Sequence, residues 1–361
     1  MVYKKGIKMK ILIVLTGGTI CSAKNESGLN ALNTEAASLS LVSMYRESTA
    51  AGERQGIEGD VAGSDVEFES ISPINTLSEN MTIDKWNQLI EALKKVDYSQ
   101  YAGIMILHGT DTLHLTAAFM GVLMKDVGCP VMMVSAHRIL SDPESNGVDN
   151  FAKSVSLIKR LNEEGRNGVY VVFRNMNGVS YVHHATHLEE CGDYSEEFYS
   201  RDMIDYEKLM SEWDTGWLAA GGAYISTGGS NEAVKLDQIR ESGTNALDGQ
   251  INIFNVGTLS ERVLYIRPYV GINYDRINLD GVKAVLHGMY HSSTVNTEGD
   301  GPTSAMSLLR RCNEKGIAFY IFPCKDGEYR YSTTKPLIDA GAKCLYGGTW
   351  EEAYVRLLLE Q

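Results

Sequence analysis

At 361 residues the chain exceeds one ordinary domain, so two domains on one continuous chain are the expectation. Hydrophobic residues at 43% and charged residues at 22% describe a globular protein with ample material for a core. A formal net charge of −13 argues against binding a phosphate backbone, which needs clustered cations, and sets nucleic acid aside as a partner.

The N-terminus MVYKKGIKMKILIVL is basic and then apolar, superficially like a leader peptide. Its apolar part is short and runs directly into Thr-Gly-Gly with no small-residue cleavage site, so it reads as a first strand over 10–16. Further strands are expected at 66–71, 102–108, 130–135 and 168–173. Between them, Ile83, Trp86, Leu89, Ile90 and Leu93 fall at helical spacing, with Thr82 placed as an N-cap. The stretch LTAAFMGVLMKDV is apolar nearly all round, as a helix laid on a sheet is, and FAKSVSLIKRLNEEG is amphipathic and ends in Gly165, a natural C-cap. Near-continuous apolar strands alternating with helices predict an α/β fold with a doubly wound, mostly parallel sheet covered on both faces.

From about 175 to 260 the chain is rich in Gly, Ser, Asn, Asp and Glu, and the β/α alternation resumes at RVLYIRPYV. This pattern predicts a larger N-terminal α/β domain over 1–210, a connecting region over 211–255 and a smaller C-terminal α/β domain with a parallel sheet over 256–361. The acidic runs EGDVAGSDVEFE and LEECGDYSEEF read as solvated surface. No apolar stretch is long enough to span a membrane. Six cysteines without paired spacing read as reduced, mostly buried thiols in a reducing compartment, and the expected location is the cytoplasm.

In an open parallel sheet, ligands bind beyond the C-terminal strand ends. Two polar clusters stand there: Thr16-Gly17-Gly18-Thr19 after the first strand, and His108-Gly109-Thr110-Asp111-Thr112 after the third. Either alone is accounted for by a turn or a helix cap. Neither has the spacing of a dinucleotide fingerprint or a P-loop. Together they put two threonines and a carboxylate at two strand ends of one sheet, where they are expected to meet in one pocket. A threonine hydroxyl needs such a placed base and proton acceptor to be a nucleophile.

TGGTI followed about ninety residues later by ILHGTDTLHLTAA resembles the bacterial-type L-asparaginase family, cytoplasmic type I-like. LSENMTIDKW resembles that family's substrate-binding loop and VSAHRILSDPESNGVDNF its next loop. The resemblance implies hydrolysis of L-asparagine to L-aspartate and ammonia through a threonine acyl-enzyme. On it, Thr19 is the nucleophile, Thr110 assists, and Asp111 binds the substrate's α-amino group. Gly18, Ser78, Glu79, Gly109 and Ala136 then contact substrate, Ser78 through the substrate carboxylate. It also implies a homo-oligomer, dimer or tetramer, and no metal or organic cofactor.

Two departures stand out. The loop CSAKNESGLNAL has no tyrosine where many relatives carry one. The stretch VFRNMNGVSYVHHATHLEE holds no lysine where the family has a catalytic one, and its best match there is His187. Histidine has an unperturbed pKa near ~6.5, so the substitution predicts a changed pH dependence. His183, His184 and His187, with Glu189, Glu190 and Cys191, also suggest metal ligation. Their setting is strand and loop rather than helix, which favours polar packing and no metal. His287 and His291 read as loop histidines at a strand end. The alternatives to an L-asparaginase are a catalytically weakened amino-acid-binding member, or an amidase shifted to glutamine or another small amide. Ammonia supply for amidated tRNA ranks last, because such proteins carry a further N-terminal region.

Overall fold

A computed structural model describes residues 8–24, 30–54, 65–213, 215–219, 233–235, 251–324 and 331–360. The centre of the tyrosine-free loop (25–29) and most of the connecting region expected at 211–255 lie outside the described residues. The described chain forms two compact units, one running to residue 219 and completed by Ile251–Val256, the other holding 233–235 and the chain from residue 257 onward.

In the first unit the elements are β1 (Met9–Leu15), a hairpin of β2 (Ser22–Lys24) and β3 (Asn30–Leu32), α1 (Thr34–Arg54), β4 (Val66–Ile71), α2 (Ile83–Leu93), β5 (Gly103–Leu107), α3 (Leu113–Leu123), β6 (Pro130–Val134), α4 (Gly147–Glu163), β7 (Gly168–Arg174), β8 (Ser180–His184), β9 (Ile204–Asp205), α5 (Tyr206–Glu212) and α6 (Thr215–Ala219). Seven strands order as β4-β1-β5-β6-β7-β8-β9. β4 through β7 are parallel, and β8 and β9 add an antiparallel edge. The chain leaves β1 toward β4 on one side and returns to β5 on the other, so the topological switch point falls between β1 and β5.

Both faces are covered, which is why every residue of β5 and β6 is buried. On one face Tyr45 of α1 meets Phe151 of α4 edge to face at 5.6 Å. On the other, Trp86 of α2 stacks on Phe119 of α3 at 4.4 Å and donates from Nε1 to Thr116 Oγ1 at 3.2 Å. The sequence-expected cap holds: the Lys85 amide donates to Thr82 Oγ1 at 3.3 Å. Ile253 N donates to Leu123 O at 3.0 Å, which ties 251–256 back onto the end of α3.

The second unit holds β10 (Ala233–Lys235), β11 (Val263–Ile266), β12 (Ala284–Gly288), α7 (Ala305–Glu314), β13 (Ala318–Phe322), α8 (Lys335–Asp339), β14 (Lys343–Tyr346) and α9 (Trp350–Leu359), with a parallel sheet ordered β10-β14-β13-β12-β11. His287 corrects an expectation. It is not a loop residue but a fully buried member of β12, hydrogen-bonded through Nε2 to Tyr274 OH at 2.8 Å. Among the described residues no helix is long and apolar enough to cross a membrane.

Candidate active site

The site begins with backbone rather than side chains. Thr16 is pinned to β5 twice, its amide and its hydroxyl both donating to Leu107 O at 3.1 and 2.7 Å. The chain then turns through Gly17 and Gly18, with φ of 112° and 79°. These left-handed values suit glycine, and space reinforces the choice. A Cβ on Gly17 would lie 2.1 Å from Thr76 O, and one on Gly18 would lie 2.2 Å from the Cα of Gly109. The Gly17-Gly18-Thr19 turn and the Gly109-Thr110-Asp111 turn therefore touch at their glycines, at the switch point.

A third segment locks both. Gly18 N donates to Thr76 O and Thr76 N to Thr16 O, each at 3.0 Å. Two residues on, Ser78 Oγ donates to Asp111 Oδ2 at 2.7 Å and accepts from Asp111 N at 3.2 Å, while Thr112 Oγ1 donates to Ser78 O at 2.9 Å. Thr19 and Thr110 are half-buried, Asp111 and Glu79 exposed, and Ser78 buried. Among the described residues neither threonine hydroxyl has a hydrogen-bond partner.

His108, just before Gly109, is fully buried, and its Nδ1 lies 2.7 Å from Gly109 O. Burial pushes its pKa down to about 4, against the opposing pull of that carbonyl and of the Asp111 charge. The ring is thus neutral at pH 7, with its proton on Nδ1 to serve the carbonyl, and it stiffens the Gly109 peptide. Ala136 is buried at the end of β6, and the next amide, His137 N, donates to Oδ1 of the buried Asn146 at 3.1 Å.

The structure brings Gly18, Thr19, Ser78, Gly109, Thr110 and Asp111 together. It does not bring His187 to Asp111. β8 runs antiparallel to β7, with His184 opposite Tyr170, so the chain reaches His187 near the N-terminal ends of the parallel strands. There Thr186 Cγ2 fills the space beside Gly121, where a Cβ would meet it at 2.7 Å. On the order of 12 Å of helix axis separates Gly121 from Leu113 at the other end of α3. The Nδ1 of His187 pairs instead with Asp202 Oδ2 at 2.8 Å. His187 is thus engaged with Asp202 past the end of β8, toward the N-terminal ends of the parallel strands.

His183 and His184 are likewise committed to packing. His183 Nδ1 bonds Ser200 Oγ at 2.9 Å, and His184 stacks on Trp217 at 4.2 Å. Among the described residues no three metal-ligating side chains converge as a metal site.

The acidic run LEECGDYSEEF is not simply solvated surface. Burial raises the Cys191 thiol pKa, and the negative charges of Asp111 and Glu196 add to the rise. Cys191 Sγ donates to Ser195 O at 2.9 Å, and Glu196 Oε2 is buried 3.6 Å from His137 Nε2. The apolar Cys191 and Phe198 embedded among the acids of this run were the sequence signal for that burial.

The residues that carry this geometry fall within the span of a family match. The Asparaginase, N-terminal family model matches residues 10–193, just over half of the chain. The chain belongs to the asparaginase family. An L-asparaginase from Thermococcus kodakarensis is 29% identical over 179 residues, 48% of each chain. A subunit of glutamyl-tRNA(Gln) amidotransferase from Pyrococcus horikoshii is 24% identical over 303 residues, covering 81% of this chain and 62% of its own. Its counterpart from Saccharolobus islandicus is 29% identical over 366 positions, covering 99% and 72%. The chain thus spans about three-fifths of the Pyrococcus relative and about half of the Thermococcus one. Among solved structures, L-asparaginase I from Vibrio cholerae superposes with a TM-score of 0.64 at 19% identity, covering 98% of this chain and 92% of its own. The Thermococcus kodakarensis enzyme gives 0.62 at 19%, covering 97% and 92%. These likenesses establish the two-domain asparaginase fold.

Proposed function

We propose that this asparaginase-family chain is an amidohydrolase that cleaves a side-chain amide, L-asparagine first among the candidates, through an acyl-threonine. The observation that carries the reading is the backbone contact of Gly18 with Gly109, the chain neighbours of Thr19 and Thr110. Thr19 Oγ1 attacks the amide carbon, the carbonyl π-pair moves onto oxygen, and the hydroxyl proton passes by way of Thr110 to the leaving nitrogen. Backbone N–H groups at the two turns stabilise the oxyanion, often the largest catalytic contribution. The C–N bond breaks, ammonia leaves, and water then cleaves the threonine ester, returning the proton to Oγ1 and releasing the acid. Asp111, held by Ser78, binds the substrate ammonium, and Ser78, Glu79 and Ala136 line the remaining substrate contacts.

A second reading keeps the chemistry and changes the substrate to glutamine, with ammonia passed to a partner. It is favoured by the alignment of the Saccharolobus islandicus glutamyl-tRNA(Gln) amidotransferase polypeptide with 99% of this chain. Ammonia release from L-asparagine and L-glutamine, compared with a Thr19→Ala, Thr110→Ala double variant, tests both. Release above that variant supports hydrolysis, and the ratio of the two kcat/KM values chooses the substrate. No release above it sinks both readings. L-Aspartate raising Tm without turnover of either amide then identifies a binding protein on this scaffold. Cytoplasmic location is proposed from the six free thiols and from the likeness to a probable cytoplasmic L-asparaginase of Campylobacter jejuni, TM-score 0.62 at 18% identity. A homo-oligomer is proposed as well, and light scattering on the purified chain checks it.

A further inference from the structure

The stretch 174–190 holds no lysine, yet a lysine does reach the motif segments, from another direction. Lys85 stands in the first turn of α2, where the helix dipole disfavours a cation. Its Nζ turns back over the N-terminus of the helix and donates to Thr76 Oγ1 at 2.8 Å and to Asn80 O at 2.6 Å. Those acceptors are the two ends of the segment 76–80. Thr76 brackets the nucleophile turn through its bonds to Thr16 and Gly18, and Ser78, midway, holds Asp111. A four-carbon stem carries much rotamer entropy, and a cation in this position gains nothing from the helix, so the two bonds to one short segment give the residue its purpose.

We propose that Lys85 is a positioning residue. By clamping Thr76 to Asn80 it fixes the height of Ser78, and through it the Asp111 carboxylate, above the two threonines. The proposal rests on the amidohydrolase reading and deepens it, since the group it sets is the one that receives the substrate's charged end. Lys85 touches neither threonine and takes no proton. It acts through Ser78, and its loss should be felt in substrate binding before chemistry.

The test uses the full chain with Lys85→Met and Lys85→Arg. Lys85→Met should raise KM for the amide that the wild type hydrolyses by roughly 10-fold, less than the ~100-fold that a 1 Å misplacement of reacting groups can cost, with kcat within about 3-fold. Lys85→Arg, which keeps donors at the end of a long stem, should recover most of the loss. Hydrogen exchange should show the amides of 76–81 opening faster in Lys85→Met, with those of α3 unchanged. An unchanged KM overturns the proposal, as does an equal fall in kcat and kcat/KM that Lys85→Arg leaves unrelieved, which marks general destabilisation. If the wild type turns over neither amide, the functional reading fails and exchange decides: faster opening of 76–81 sustains the clamp, and unchanged opening removes it.

Discussion

Gly18 and Gly109 lie backbone against backbone: a Cβ on Gly18 would stand 2.2 Å from the Cα of Gly109 and 2.3 Å from its nitrogen. The atoms met are main chain, which no rotamer change can clear, and Gly18 also has a φ of 79°. Gly18→Ala must therefore push the Thr19 turn and the Thr110 turn apart. The expected outcome is a fall of ~100-fold or more in kcat/KM, the scale set by a 1 Å misplacement, with a stability loss of about 1–3 kcal/mol from overpacking. Ammonia release and urea unfolding on the same preparation check both. Wild-type turnover in Gly18→Ala would show that this approach does not set the site.

The buried Ser78 donates to Asp111 Oδ2 and accepts from the Asp111 amide. Ser78→Ala removes the hydroxyl donor that holds the carboxylate and frees it to rotate. A hydrogen bond to a charged group is worth about 1.5–3 kcal/mol, so KM should rise roughly 10- to 100-fold while the fold survives. Steady-state kinetics with a parallel melting curve separate the two effects. A drop in kcat alone, with KM unmoved, would place Ser78 in chemistry rather than in binding.

Much of this was legible in the sequence because strand ends and turn glycines are local signals. Near-continuous apolar runs located β1, β5, β6 and β7, and the alternating Val-Glu-Phe-Glu located β4, each to within a residue or so. The two Gly-Thr clusters fell at the switch point that the strand order creates. What was not legible depends on distance through space. The antiparallel return of β8 carries the chain back down the sheet to His187, and no local pattern reports that direction. The partial burial of Cys191 and Glu196 is equally non-local, being made by packing of the 191–198 loop against β7. Asn175 holds that loop by accepting from Phe198 N and donating to Phe198 O, both at 3.0 Å.

His187 offers a direct check of that geometry. It pairs with Asp202 beside the far end of α3, and the carboxylate sits where its other oxygen is buried without a partner. Burial works to raise the Asp202 pKa, but the hydrogen bond from His187 and the charges of His187 and His184 outweigh it and leave it below the ordinary value. His187→Gln should therefore lower stability by about 1–3 kcal/mol, the cost of an unsatisfied buried group, and leave kcat/KM within about 3-fold once folded protein is counted. The check is a melting curve and an active-site-normalised rate. Turnover that collapses with Tm unchanged would return His187 to the catalytic set.

The buried histidines also fix how the protein answers acid. Burial pushes His108, His114 and His184 down to about 4 and His183 to about 3 in the first unit, and His287 to about 4 in the second. Unfolded histidine titrates near ~6.5. Between those values the unfolded chain binds protons that the folded chain does not, so stability falls as pH drops from about 6.5 toward 4, each group contributing up to about 1.4 kcal/mol per pH unit. Asp202 adds to the loss only lower down. Its depressed pKa contributes stability above the unfolded carboxylate value near ~3.9, and that contribution disappears as pH falls through the folded one. Melting curves at pH 7.5, 6.0 and 5.0 should therefore show Tm already falling over the first interval and falling further over the second. His287→Phe should flatten the fall in the second unit alone, because it removes the buried titrating ring there. A Tm that stays level from pH 7.5 to 5.0 would mean that these rings are protonated in the folded chain after all, and that the neutral His108 beside Gly109 must be given up with them.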